Sequence, residues 1–189
     1  TATEIIRAGT VHVWGDLEWR TLAAPGHDTG ALVFFNDAHG ILISGDALWR
    51  NGYGFVMPAA FDAAALPATR ATLEMLATLG ARCVIPGHGE PFADVDDAIE
   101  RALRRTAAFE ADPLRLVWHA MKVMLVFSLL DRERMPASAI PGWVEHTGII
   151  RDFNAQYLGL APDVLAERLA IELVKTGALR RDGSDLVPA

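Results

Sequence analysis

Ala31-Leu32-Val33-Phe34-Phe35-Asn36-Asp37-Ala38-His39-Gly40-Ile41-Leu42-Ile43-Ser44-Gly45-Asp46 is the stretch from which the architecture is read. Two apolar runs, 31–35 and 41–44, flank the polar loop 36–40, which ends on Gly40, and together they spell a β-hairpin. Runs that are apolar at every position, not at every second one, belong to strands covered on both faces. Upstream, Val11–Trp14 ends at Gly15-Asp16 and Leu17–Leu22 alternates with period two. Residues 4–45 therefore read as short strands joined by tight turns. Downstream the period changes. Pro67 suits the first turn of a helix that runs to Leu79 and stops at Gly80, and Arg82–Ile85 is a short strand ended by Pro86-Gly87. Asp94 can cap a further helix with Val95, Ile99, Leu103 and Phe109 on one face. Strands, helix, strand and helix in that order predict an α/β layered unit over residues 1–112.

Asp112-Pro113 marks the expected domain boundary. Residues 113–189 carry three helical patterns, at 114–130, 138–158 and 162–176, followed by a hairpin around Asp182-Gly183. Three helices and a small hairpin outline a winged-helix-like module. Met121, Met124 and Phe127, at helical spacing, are expected in its core. The apolar run Leu116–Leu130 is interrupted by His119 and Lys122 and is expected to be a buried helix, not a membrane span.

The chain has 189 residues, 51% hydrophobic and 22% charged, which excludes a disordered chain. A disulfide scaffold is excluded by a single cysteine, Cys83, which itself reads as a core residue. Charged residues throughout 1–20 argue against a leader peptide, so a cytoplasmic location is expected. Residues 1–112 hold 15 acidic and 8 basic side chains, and residues 113–189 hold 9 of each. Neither part has the basic excess that phosphate binding needs, so nucleic acid is not the expected partner. Arg180-Arg181 in the terminal hairpin is offset at once by Asp182 and Asp185.

Three polar residues each follow a strand in a glycine-flanked loop: His27 in Pro25-Gly26-His27-Asp28-Thr29-Gly30, Asp46 in Ser44-Gly45-Asp46, and His88 in Pro86-Gly87-His88-Gly89. Taken singly, a His or Asp in such a turn is an ordinary solvated residue. Three of them at strand ends, on a scaffold rigid enough to hold ligands within tight tolerance, point to a metal site. Imidazole and carboxylate suit zinc, manganese or iron, and one carboxylate can bridge two ions. Trp49, Arg50 and Tyr53 leave the Asp46 position in a polar-aromatic loop and are candidates to line a substrate pocket. Asp28, next to His27, either orients that imidazole or caps the following turn.

Pro25-Gly26-His27-x-x-Gly30, Ser44-Gly45-Asp46-x-Leu48 and Ile85-Pro86-Gly87-His88-Gly89, in that order, resemble the second half of a metallo-β-lactamase-fold hydrolase of the glyoxalase II-like kind. The resemblance covers about residues 1–112. It implies half of an αββα sandwich there, with the site along one sheet edge, followed by a small helical, winged-helix-like domain. It also implies that His27 binds a first metal, His88 a second, and Asp46 bridges them as the catalytic carboxylate. Zinc is the implied cofactor, as one or two ions, with manganese or iron as alternatives. The implied chemistry is attack of metal-bound hydroxide on a small ester- or thioester-like acyl substrate. Asp at position 46 resembles the thioesterase-like and nuclease-like branches, whereas the zinc lactamases carry Cys there.

The family's upstream His-x-His-x-Asp-His cluster does not occur in this sequence. His12 is followed by Val13-Trp14-Gly15, and His39, His119 and His146 are isolated. Together with Thr1 at the start, this leads to the expectation of a C-terminal part of a longer protein. Such a part would be weak or inactive as a catalyst, with its half-site empty or partly filled. It would also self-associate through the sheet face left bare by a missing layer. Two rival readings are a nucleic-acid-processing or nucleic-acid-binding protein acting through the tail, and a non-catalytic interaction module with a vestigial half-site.

Overall fold

The computed structural model describes residues 5–189, so Thr1 and the expected start of the strand region at residue 4 lie outside the described residues. The chain divides into two compact units, Thr1–Pro113 and Leu114–Ala189.

The first unit is built on a five-stranded sheet in the order β1 (Val11–Trp14), β2 (Leu17–Ala23), β3 (Leu32–Asn36), β4 (Ile41–Gly45) and β5 (Cys83–Pro86). The first four strands form an antiparallel meander, and β5 lies parallel beside β4. A parallel neighbour requires a crossover, and the chain between β4 and β5 contains α1 (Ala65–Ala77). α2 (Val95–Ala111) follows β5 and packs on α1. By these pairings β2, β4 and β5 all run in one direction, so the loops that leave their C-terminal ends open along one edge of the sheet.

Directly paired residues share a sheet face. One face carries Val33, Phe35, Leu42 and Val84, all buried. Leu73 and Leu76 of α1 and Val95, Ala98, Ile99 and Ala102 of α2 are among the buried helical side chains of the same unit. Leu103 was expected in that stripe but is only half-buried, because the buried positions of α2 follow 95, 98, 99, 102, 106 and 109. On the opposite sheet face Trp19, Thr21 and Asn36 are buried, whereas Leu32, Phe34, Ile41, Ile43, Cys83 and Ile85 are not, with Ile85 39% exposed. Toward the β1 edge it continues through Trp14, whose ring meets Phe34 edge-on at 5.2 Å. No Asp, Glu, Lys or Arg stands on this face of the five strands.

The second unit comprises α3 (Pro113–Arg132), β6 (Met135–Pro136), α4 (Ile140–His146), α5 (Gly148–Phe153), α6 (Pro162–Lys175) and the hairpin β7 (Leu179–Asp182) and β8 (Asp185–Pro188). Its three strands pair antiparallel in the order β6-β8-β7. Leu116, Val117, Ala120, Met121, Leu125 and Leu129 are the buried positions of α3. Phe127, expected in the core, is 45% exposed: two residues past Leu125 it points about 200° away from that stripe. By length and composition α3 is apolar enough to cross a membrane, with mean hydropathy 1.4 over an 18-residue window of which 33% is buried. Lys122 nevertheless ion-pairs with Glu172 of α6 at 2.9 Å, and Arg168 of α6 stacks over Trp118.

The single helix expected over 138–158 is broken. α4 ends where Thr147 turns extended (φ −85°, ψ 100°), and its carbonyl accepts the N–H groups of Ile150 and Arg151 to start α5. A wide turn over Asn154–Leu158 follows, and the Asn154 amide bonds both backbone groups of Leu160, ending the helical path. Strand β6, two residues long, is too short to leave a periodic signal.

The two faces of the sheet should answer differently to truncation. Leu42→Ala should cost about 2–5 kcal/mol in urea unfolding, whereas Ile43→Thr on the charge-free face should cost no more than about 1 kcal/mol.

Candidate metal centre

The shared direction of β2, β4 and β5 delivers His27, Asp46 and His88 to one edge from three loops distant in sequence. The Nε2 atom of His27 lies 3.6 Å from Oδ2 of Asp46, and Nε2 of His88 lies 3.6 Å from Oδ1 of the same carboxylate. On the far side of the ring, Nδ1 of His27 donates to the main-chain carbonyl of Phe55 at 2.5 Å. That bond places the proton of a neutral imidazole on Nδ1 and leaves a lone pair on Nε2 facing a carboxylate oxygen. Two acceptors that face each other call for a positive charge between them.

The spacing agrees with a cation in that position. Ligand atoms bound at ~2.0–2.1 Å with near-tetrahedral angles lie ~3.3–3.4 Å apart. The observed 3.6 Å is near that value and beyond hydrogen-bond range. Among the described residues no group of three or more His, Cys, Asp or Glu converges on a single point. The three candidates instead form two pairs that share Asp46, with one carboxylate oxygen facing each imidazole.

Two glycines make this approach possible. A Cβ on Gly87 would stand 2.8 Å from Asp46 Oδ1, and a Cβ on Gly54 would stand 2.8 Å from both Asp46 Cβ and His27 Cγ. The loop carrying Asp46 is closed on itself: Gly54 N–H donates to Asp46 O at 2.7 Å, Trp49 N–H to Gly52 O at 2.7 Å, and the Ser44 hydroxyl to Leu48 O at 2.6 Å. Ligand positions on such a loop are fixed by backbone bonds.

Trp49 and Arg50 line an open cleft of about 340 Å³ with Asn51, His88, Gly89 and Glu90. The Trp49 indole N–H donates to Asp46 Oδ1 at 3.1 Å, and its ring stands edge-on to His88 with centroids 5.1 Å apart. Arg50 binds Asp94 through Nε at 3.0 Å, while Arg101 donates to both the Arg50 carbonyl (2.8 Å) and Asp94 (3.1 Å). Asp94 stands at the N-terminus of α2 but makes no side-chain cap there, because its carboxylate is taken up by these two arginines. Desolvation raises its carboxyl, but the hydrogen bonds from Arg50 and Arg101 outweigh this and hold it below the ordinary value.

Tyr53 does not line the cleft. It is 4% exposed, its hydroxyl is bonded to Thr106 at 2.9 Å, and burial pushes its pKa up. Asp28 does not orient the His27 ring; its carboxylate accepts the Gly30 N–H at 2.6 Å and closes the turn. The group that does orient His27, the carbonyl of Phe55, is a backbone atom and leaves no signature in side-chain chemistry.

Residues 4–88 match the family model of the metallo-beta-lactamase superfamily. Over these residues the chain is similar to the metallo-β-lactamase superfamily, whose members depend on metal. A curated relative, the probable metallo-hydrolase YqjP of Bacillus subtilis (strain 168), is 33% identical over 104 residues, which is 52% of this chain and 32% of the relative. The crystal structure of a beta-lactamase domain protein from Burkholderia ambifaria is similar to 98% of this chain and matched over 52% of its own, at 23% identity and TM-score 0.51. That of the metallo-beta-lactamase family protein TTHA1429 from Thermus thermophilus is matched over 97% of this chain and 54% of its own, at 23% identity and TM-score 0.46. The chain thus spans about a third of the curated relative and about half of these two structures. Its mixed α/β fold is that of the superfamily.

The close approach at Gly87 yields a direct test. Gly87→Ala should lower zinc affinity about 10–100-fold in equilibrium dialysis by displacing the Asp46 carboxylate, with little change in the midpoint of thermal unfolding.

Proposed function

We propose that this chain carries one half of the ligand set of a metal-dependent hydrolase acting on a small ester, thioester or similar acyl compound. The observation that supports the reading is the facing of lone-pair donors across Asp46, with His27 and His88 each 3.6 Å from a different oxygen. Zinc suits two imidazoles and a carboxylate, and manganese and iron accept the same donors. A divalent ion in such a site polarises a carbonyl and lowers the pKa of water.

The chain's own residues supply the surroundings. Phe55 holds His27 in the tautomer that presents Nε2. Asp46 turns one oxygen to each imidazole and would supply the negative charge for a cation held there. Trp49 walls the cleft on the His88 side, and Arg50, held at Nε by Asp94, offers its guanidinium to a polar or anionic part of the substrate. Ligands from one half leave the reacting water poorly placed, so hydrolysis by this chain as it stands is weak.

Metal content per chain tests the reading. Freshly purified chain should carry zinc, manganese or iron that is lost in the double variant His27→Ala, His88→Ala. Metal at equal levels in both proteins, or in neither, would overturn it.

The charge-free face of the sheet supports a second proposal: the isolated chain associates with a second copy of itself through Phe34, Ile43, Ile85 and their neighbours. Apolar surface is stabilised by about 25 cal/mol per Å² when removed from water, so a few hundred Å² amounts to several kcal/mol. Sedimentation at micromolar concentration should show a dimer or larger species that Phe34→Lys, Ile43→Lys shifts to monomer; a monomeric parent chain would refute it.

A further inference from the structure

We propose that Trp49 is the positioning residue of the metal centre and that it makes the two cation positions unequal, the His27 position being the tighter. The inference rests on the metal-binding reading of His27, Asp46 and His88 and adds a residue outside the ligand set.

Asp46 offers one oxygen to each imidazole, Oδ2 to His27 and Oδ1 to His88. The Trp49 indole N–H donates to Oδ1 alone, at 3.1 Å. An oxygen that already accepts a hydrogen bond has less electron density to share with a cation, so Oδ1 is the poorer ligand of the two. The same bond fixes the carboxylate torsion, because turning Oδ1 away would break it, and Oδ2 stays aimed at His27. The imidazoles differ in the same sense. His27 is oriented through Nδ1 by the Phe55 carbonyl, which keeps Nε2 aimed at Oδ2. The His88 side chain is 62% exposed against 36% for His27. Its neighbour is the edge of the Trp49 ring, at an interplanar angle of 78°.

Trp49 is itself held in place. Its backbone N–H donates to Gly52 O at 2.7 Å in a loop that returns to Asp46 through Gly54. The indole therefore braces one oxygen of one carboxylate from a rigid loop. A tryptophan that merely packed there would, when replaced, weaken both cation positions together. A brace on Oδ1 changes their ratio.

The test is calorimetric titration of the full chain with zinc, in the parent and in Trp49→Phe, which keeps an aromatic ring beside His88 and removes only the N–H donor. Single variants His27→Ala and His88→Ala assign the two events. In the parent, a tight event should survive His88→Ala and vanish in His27→Ala, with the second event about tenfold weaker or more. In Trp49→Phe the second event should strengthen and the first weaken, narrowing the gap at least about threefold. An unchanged ratio, equal weakening of both events, or loss of the tight event in His88→Ala would each overturn the proposal. Should Trp49→Phe not fold, the indole ¹H–¹⁵N resonance of Trp49 decides: it should move upfield in metal-free Asp46→Ala, and an unmoved resonance overturns the proposal. Zinc binding no stronger in the parent than in the double histidine variant would overturn the metal-centre reading and this inference with it, an outcome distinct from an unchanged ratio.

Discussion

Parallel pairing of β4 with β5 is the constraint on which the centre rests. Its register sets Ile41 beside Cys83, Leu42 beside Val84 and Ile43 beside Ile85, then shifts so that Gly45 lies beside Pro86. The shift lets the Gly87 N–H bond the Gly45 carbonyl at 2.8 Å, and the two loops leave the sheet in contact. An antiparallel β5 would send His88 to the opposite edge. Because β3 reverses the chain between β2 and β4, His27 returns to the same edge without a further crossover. A carboxylate between two imidazoles is therefore a product of strand direction first and of side-chain chemistry second.

Around that carboxylate the polar groups are arranged in two tiers. Nearest are the Phe55 carbonyl and the Trp49 indole, one on a histidine and one on the carboxylate. Farther out, Asp94 and Arg101 hold Arg50 by side chain and main chain, tying the start of α2 to the loop after β4. Asp94 gives up a helix cap to do so. The dipole of α2 is served instead by Asp96 and Asp97 in its first turn.

Much of this was legible in the residues. Continuous apolar runs marked β3 and β4, and glycine-flanked His27, Asp46 and His88 at strand ends are the residues that the structure brings together. What escaped was whatever depends on a backbone atom or on the far side of a helix. The Phe55 carbonyl has no residue-type signal, and of the two roles open to Asp28 the Gly30 N–H selects the turn cap. Tyr53, in a polar-aromatic loop, looks like a pocket residue, yet Thr106 on α2 draws it inward. The uninterrupted helical pattern at 138–158 hid a break, since Thr147-Gly148 is compatible with a helix and only the bonds to Ile150 and Arg151 show the chain restarting. Phe127 fitted the core by composition but not by angle.

The route by which β5 joins the sheet also has a kinetic meaning. Strands β1 to β4 pair with sequence neighbours through short turns, so their contacts form at little cost in chain closure. The β4–β5 ladder instead closes the long segment that contains α1, and it is the most non-local pairing in the sheet. His88 therefore depends on the pairing with the greatest chain-closure cost, whereas His27 and Asp46 leave strands joined through short connections.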